Sequence, residues 1–166
     1  MSSIFTHGAN GHRIEKSMKA NHTRRIQVMI EARDVNEMLD ELWPGAHAEC
    51  LELGKERALA RIVVQPHQIR PGGFVSGPTQ FAVADLACWL LVSGALGEVT
   101  PMALTSELSI RFLRPAVGEE LFAEATLERL GRTSLVATSR VWCADRARPC
   151  AVAQATYALP KESVDA

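Results

Sequence analysis

The pattern of apolar and polar positions changes its period several times along the chain. Apolar residues recur at helical spacing over residues 26–43, and Pro44 and Gly45 follow directly, which predicts an amphipathic helix that ends there. Two strands are predicted next, over residues 48–53 and 58–64, joined by a tight turn at "GKER". The segment after them, "QPHQIRPGGFVSGP", is rich in glycine, proline and polar residues, which is typical of a loop.

A second helix is predicted after that loop, because residues 81–96 are almost uniformly apolar. Pro78 suits the first turn of a helix, where a missing N–H costs nothing, and Ser76 or Gly77 is then the N-cap. Gly97 is placed to end the helix in a left-handed conformation. A helix that is apolar on all sides cannot lie on a sheet with one solvated face. The sheet must therefore wrap around it, or a second copy of the chain must cover it.

After Pro101 the period changes to two, which is typical of strands. One alternating set comprises Met102, Leu104, Ser106, Leu108, Ile110 and Phe112, and the other comprises Ala103, Thr105, Glu107, Ser109 and Arg111. Strands over 121–130, 134–143 and 150–159 follow, and their short connections predict antiparallel pairing of successive strands. The order of elements predicts an α+β fold in which a curled antiparallel sheet surrounds one long central helix.

Length and composition narrow the classes of function. A chain of 166 residues suits one domain with a single core, here 25–160, between a polar N-terminus (1–24) and a short tail (161–166). Eighteen Lys and Arg oppose nineteen Asp and Glu, so the net charge of −1 gives no reason to expect nucleic acid as a partner. The four cysteines are widely spaced and the N-terminus lacks the apolar core of a signal peptide, so we expect a reduced, cytoplasmic protein.

One carboxylate, that of Asp85, lies inside the apolar helix, which favours a buried core helix over a membrane span. Its helical neighbours three and four positions away are Phe81, Ala82, Cys88 and Trp89, and none of them can pair with a charge. A carboxylate in an apolar interior must find partners or resist ionisation. Two interpretations stay open: a structural aspartate paired with a distant arginine or backbone N–H, or a general base or nucleophile facing a cavity.

The start of the helix offers a second chemical group. Free N–H groups at Gly77 and just beyond suit a polarised carbonyl or an oxyanion. Gly77 and Asp85 are separated along the helix by about 12 Å, at a rise of 1.5 Å per residue. If both act on one bond, the site must be built from two copies of the chain related by a two-fold axis. That geometry predicts an obligate dimer.

Four segments occur in an order that resembles a known family: "GFVSGPTQFAVADLA", "ALTSELSIRFLRPA", "LERLGRTSLVATSRVW" and "AVAQATYALP". Over residues 45–160 the chain is similar to hotdog-fold acyl-CoA thioesterases of the PaaI (phenylacetyl-CoA thioesterase) type. The resemblance implies an antiparallel sheet wrapped around a long helix, in homodimers that often form tetramers. It implies hydrolysis of a small aromatic or aliphatic acyl-CoA, with no metal or other cofactor, because CoA is part of the substrate.

The resemblance also implies roles for particular residues. Asp85 matches the helix carboxylate that acts as general base or nucleophile on the thioester, and Gly77 matches the backbone N–H that polarises the thioester carbonyl. Thr105 matches a strand hydroxyl that helps to hold water near the carboxylate. The chain departs from the family in the loop, where Ser76 stands in a triplet that often reads His-Gly-Gly and Arg70 stands near an expected Asn. We include both among the candidate substrate-binding residues.

Arginines are the natural partners of the CoA phosphates, because their planar fork binds phosphate bidentately. Arg132 in the "GRT" turn and Arg114 in "FLRP" are the candidates. Three roles stay open for Arg70: pairing with Asp85, orienting a substrate carbonyl, or binding a CoA phosphate.

Two alternatives to a thioesterase remain. A hotdog dehydratase or hydratase would pair the helix carboxylate with a loop histidine, here His67, and replacing His67 should then abolish hydration. A non-catalytic acyl-CoA-binding protein would bind the ligand tightly without turnover, since fold does not fix function.

Overall fold

The computed structural model of the protein describes residues 30–160. The predicted polar N-terminus, the first residues of the predicted first helix and the C-terminal tail lie outside the described residues. The two α-helices of the described chain are α1 (Ala32–Leu42) and α2 (Gly77–Leu96). The strands, in chain order, are β1 (Ala48–Leu53), β2 (Arg57–Val63), β3 (Ile69–Arg70), β4 (Phe74–Val75), β5 (Leu104–Phe112), β6 (Glu120–Leu130), β7 (Ser134–Trp142) and β8 (Ala151–Ala158).

The six longer strands form one antiparallel sheet in the order β1-β2-β6-β7-β8-β5. Strand β5 pairs with β8 and not with β6, so the expected pairing of successive strands is wrong at this point. The reason is the central helix, which is apolar all round and must be covered from several directions. Placing β5 beyond β8 lengthens the sheet enough to wrap it, and α2 contacts β1, β2, β5, β6, β7 and β8. The α+β hotdog architecture predicted from the sequence is confirmed.

The ends of α2 follow the predicted signals. Ser76 is the N-cap, and its side chain accepts a hydrogen bond from the backbone N–H of Thr79 at 3.3 Å. Gly97 ends the helix in the left-handed region, with φ of 76°, which a side chain would disfavour. The helix is long and apolar enough to cross a bilayer, but two thirds of its apolar window (67%) is buried within the protein. Helix α2 is therefore the buried core helix.

Small side chains on the concave face of the sheet let it curl closely around α2. Fully buried alanines on β2, β6, β7 and β8 line that face: Ala58, Ala60, Ala123, Ala125, Ala137 and Ala151. The closest approach is at Gly94, where a Cβ would lie only 2.3 Å from the backbone oxygen of Gly54 in the β1–β2 turn. A residue with any side chain at position 94 would push the helix away from the sheet.

Helix α1 is attached to the outer edge of the sheet. It buries Val35 and Leu39, and the side chain of Asn36 makes two hydrogen bonds to the backbone of Cys50 on β1. The amide nitrogen donates to the Cys50 carbonyl at 3.0 Å, and the amide oxygen accepts from the Cys50 N–H at 2.7 Å. Because an edge strand leaves such backbone groups unpaired, Asn36 both satisfies β1 and fixes the position of α1.

The segment before α2 is more ordered than the predicted loop. Residues Pro66–Gln68 form a turn of 3-10 helix, and β3 and β4, each two residues long, form a hairpin. Gly72 and Gly73, with φ of 96° and 80°, make the turn of that hairpin. This hairpin delivers the chain to the N-cap of α2.

Candidate active site

Two hydroxyl groups meet the carboxylate of Asp85. Tyr157 on β8 lies with its hydroxyl oxygen 2.5 Å from Oδ1, and Thr105 on β5 donates to the same Oδ1 at 3.0 Å. The Tyr157 hydroxyl is also 2.9 Å from the backbone oxygen of Asp85. Within residues 30–160 no arginine pairs with Asp85 and no donor is assigned to Oδ2. One carboxylate oxygen is therefore held in place while the other is left available.

Tyr157 is suited to remain a neutral donor. Burial raises the pKa of Tyr157 well above its ordinary value, and the hydrogen bond to Asp85 and the negative charge of that carboxylate raise it further. The phenol therefore keeps its proton and directs it at the carboxylate across the whole neutral range. Sequence reasoning missed this residue. Its signal was its place at an inward-facing position of the last strand, as the single tyrosine of the chain.

An irregularity in β5 brings Thr105 to this cluster. Glu107 pairs with Thr156, but the next pair is Thr105 with Tyr157, so Ser106 is an extra residue on β5. Such a β-bulge shifts the alternation by one position and re-aims the side chains that precede it. The predicted alternation placed Thr105 on the face opposite Leu108, and it is wrong there because of the bulge. Thr105 lies instead on the same face as Leu108, where it is the cross-strand partner of Tyr157.

The Asp85 cluster opens into a groove of about 510 Å³. The groove lies between α1, α2 and the start of β5, and most of its walls are apolar. The polar side chains that line it are Asp85, Thr105, Tyr157 and Gln68. The larger apolar side chains that line it are Leu39, Trp43, Ile62, Leu86, Trp89 and Leu104. A few converging polar groups in an otherwise apolar concavity are typical of a small-molecule site.

The predicted residues at the start of α2 do not line this groove. Gly77 is the first residue of the helix, and within the described part of the chain its N–H has no assigned acceptor. The hydroxyl of Ser76 caps the helix and lies 2.7 Å from the Thr79 hydroxyl. Gly77 lies about 12 Å from Asp85 along the helix, at 1.5 Å per residue. One chain therefore does not bring the two groups to one bond.

The predicted arginines lie on the surface away from the groove walls. Arg70 is exposed on β3, Arg114 follows β5, and Arg132 lies in the turn between β6 and β7. His67, the histidine that a dehydratase would need, is exposed on the 3-10 turn and does not line the groove. Among residues 30–160 no three His, Cys, Asp or Glu side chains converge as a metal site would require.

Comparison with known proteins identifies the family. Residues 72–150 match the family model described as the thioesterase superfamily. A protein of solved structure from Silicibacter sp. TM1040, which carries a provisional thioesterase assignment, is 32% identical to the chain. The match covers 81% of this chain and 97% of that protein, with a TM-score of 0.69. The chain belongs to the thioesterase superfamily.

Solved structures of lower sequence identity share the fold of the chain. A thioesterase from Haemophilus influenzae, 20% identical, matches with a TM-score of 0.71 over 82% of this chain and 94% of its own. The PaaI protein of the E. coli phenylacetic acid degradation operon, 16% identical, matches with a TM-score of 0.66 over 78% and 91%. None of the curated protein sequences compared with the chain matches it. The predictions of a PaaI-type hotdog fold and of a thioester hydrolase are confirmed.

Proposed function

We propose that this superfamily member is an acyl-CoA thioesterase for small aromatic or aliphatic acyl groups, and that Asp85 carries the reaction. The observation that supports this most directly is the asymmetry of its carboxylate. Oδ1 is held by Tyr157 and Thr105, while Oδ2 has no assigned donor within the described residues. A carboxylate fixed through one oxygen, at the wall of an apolar groove, is poised to act through the other.

Two steps fit this arrangement. As a general base, Oδ2 takes a proton from water while the hydroxide adds to the thioester carbonyl carbon. As a nucleophile, Oδ2 adds to that carbon itself, and water later cleaves the resulting anhydride. In either case the tetrahedral oxyanion collapses, the C–S bond breaks, and the CoA thiolate leaves and is protonated. The products are a carboxylic acid and free CoA, and water is the only co-reactant.

A second copy of the chain would supply the oxyanion site. Strand β5 is an edge of the sheet, and it leaves Leu104 and Phe112 more than half exposed, at 65% and 53%. Phe81 on α2 is also exposed. An open edge strand with apolar side chains is the kind of surface that a two-fold partner covers. In such a homodimer, with a tetramer as the next level of assembly, Gly77 of the second copy polarises the thioester carbonyl next to Asp85.

The CoA part of the substrate would lie outside the groove. Arg114 and Arg132, both exposed, are our candidates for its phosphates, and Arg70 and Ser76 are our candidates for contacts nearer the thioester. Hydrolysis requires no further cofactor. A cytoplasmic compartment, where acyl-CoA is available and thiols stay reduced, remains our prediction.

Release of free thiol from a panel of acyl-CoAs tests this function. The panel contains aromatic and short to long aliphatic acyl groups, and the proteins are wild type and Asp85→Asn. We expect wild-type turnover that falls at least about a hundredfold in Asp85→Asn, on the scale of losing a general base. His67→Ala is the matched control, and it should hydrolyse acyl-CoA normally.

Two results would overturn the proposal. Tight acyl-CoA binding without turnover by a folded wild-type dimer would show a binding protein. Hydration of an enoyl-CoA that is lost in His67→Ala would show a hydratase.

A further inference from the structure

Part of the wall of the Asp85 groove comes from a segment that precedes the residues matched by the family model. Leu39 and Trp43 from α1 and its C-cap, with Ala46 and Ala48, line the groove. The matching family model begins at residue 72. The thioesterase core therefore supplies the carboxylate, while the preceding segment shapes the space in front of it.

Two tryptophans meet at this wall. The rings of Trp43 and Trp89 are 5.3 Å apart between centroids and inclined at 78°, an edge-to-face pair. Trp89 follows Asp85 by four residues, so both lie on the same face of α2, about 6 Å apart along its axis. The indole pair therefore lies in the groove wall about one helical turn from the carboxylate.

Helix α1, which carries this part of the wall, is held firmly against the sheet. Val35 and Leu39 are buried against the sheet, and Asn36 is hydrogen-bonded twice to the backbone of Cys50. The backbone of Trp43 is tied to the end of α1, because its backbone N–H donates to the carbonyl of Leu39 at 2.9 Å. Half of the Trp43 side chain is nevertheless exposed, so its ring is available to a ligand in the groove.

We propose that Trp43 and Trp89 form the closed end of the acyl-binding groove and restrict the substrate to acyl groups about as large as one aromatic ring or a short aliphatic chain. The proposal rests on the proposed thioesterase function. The acyl group is the occupant that fits, because the same groove also holds the Asp85 carboxylate and its hydroxyl donors. An apolar acyl chain needs an apolar wall next to the reacting carbon, and flat indole surfaces favour an aromatic ring.

The size limit is tested by enlarging the groove. Trp43→Ala, Trp43→Phe and Leu42→Ala are compared on phenylacetyl-CoA and decanoyl-CoA. Leu42 is the matched control, since it is exposed on the same helix and does not line the groove. We expect the ratio of kcat/KM for decanoyl-CoA to that for phenylacetyl-CoA to rise at least about tenfold in Trp43→Ala, with Trp43→Phe intermediate and Leu42→Ala unchanged.

Binding of thioether analogues of the same two substrates provides a second measurement that needs no turnover. Calorimetry should show the decanoyl analogue binding at least about tenfold tighter to Trp43→Ala than to wild type. If wild type hydrolyses neither substrate, the proposed function fails. The ratio of the affinities of Trp43→Ala and wild type for the decanoyl analogue still tests whether Trp43 limits the size of the bound acyl group. If Trp43→Ala is folded and leaves both ratios unchanged, another group, such as a second copy of the chain, fills this part of the groove and the inference is wrong.

Discussion

Thr105 and Tyr157 face each other across β5 and β8 because Ser106 is an extra residue in β5. Both hydroxyls consequently reach the same oxygen of Asp85, at 3.0 Å and 2.5 Å. Bulges next to active sites commonly serve to re-aim a side chain. Here the result is a carboxylate whose two oxygens differ, one anchored and one available to water or substrate.

This asymmetry predicts how Tyr157→Phe behaves. Phenylalanine keeps the buried ring and removes only the hydroxyl, so Asp85 loses one of its two donors. Hydrogen bonds to charged groups contribute about 1.5–3 kcal/mol, so we expect kcat to fall about tenfold or more while KM changes little. Steady-state thiol release measures both constants. Core variants away from the groove that lose as much stability in urea as Tyr157→Phe serve as controls. If their kcat falls as much as that of Tyr157→Phe, the role of Tyr157 is merely structural.

The chain's single tyrosine allows a direct test of the second property, the retained proton. Burial and the neighbouring carboxylate raise the pKa of Tyr157, so the folded protein should show no tyrosinate absorbance one unit above the ordinary tyrosine pKa of about 10. The unfolded chain should show it there. In Asp85→Asn the pKa of Tyr157 should fall, since the negative charge that raises it is gone, and tyrosinate should appear at lower pH than in wild type.

The same shift fixes the sign of the alkaline stability change. Below about pH 10 the phenol is neutral in both the folded and the unfolded states, so it adds no pH dependence. Above that pH the unfolded chain releases the proton while the folded protein retains it. The free energy of unfolding should therefore decrease as pH rises above about 10, and the decrease should be smaller in Tyr157→Phe. A wild-type tyrosinate titration with the ordinary midpoint would contradict this account of Tyr157.

Local signals in the sequence predicted the central helix well. Ser76, Pro78 and Gly97 each act through neighbours within one turn, so their effect is readable without knowing the rest of the fold. The single carboxylate in an apolar helix made Asp85 the candidate catalytic residue, and that role stays a prediction. The prediction of the first helix is confirmed over Ala32–Leu42.

The pairing of distant strands was harder to predict from the sequence. The bulge at Ser106 depends on how β5 meets β8. Ser106 is the polar residue in an otherwise apolar alternating set of β5, but a single serine does not indicate an extra residue in a strand. Tyr157 becomes a partner of Asp85 only because the last strand is placed between β7 and β5. The groove wall formed by Trp43 depends in the same way on the docking of α1 against a distant edge. These features are set by tertiary contacts, which periodicity does not encode.

The proposed oxyanion donor can be removed by substitution, with circular dichroism to verify that α2 still forms, because position 77 precedes Pro78. Gly77→Pro deletes the N–H at the first helical position, where proline is well tolerated. Ser76 before it, with φ of −64° and ψ of 152°, already has the conformation that proline requires of the preceding residue. Gly77→Ala is the control, because it keeps the N–H and adds a Cβ 3.3 Å from the Phe112 ring. We expect kcat to fall about a hundredfold or more in Gly77→Pro and to change little in Gly77→Ala.

Mixing two inactive variants then tests whether the site is shared between subunits. In a heterodimer of Asp85→Asn and Gly77→Pro, a shared arrangement gives one site with both substitutions and one site with neither. Random reassociation makes half of the dimers heterodimers with one intact site of two, so activity should return to about a quarter of the wild-type value. If Gly77 and Asp85 served the same bond within one chain, no site would be intact and activity would stay at the level of the separate variants. Recovery would thus require the two-copy site that the separation of Gly77 and Asp85 along α2 implies.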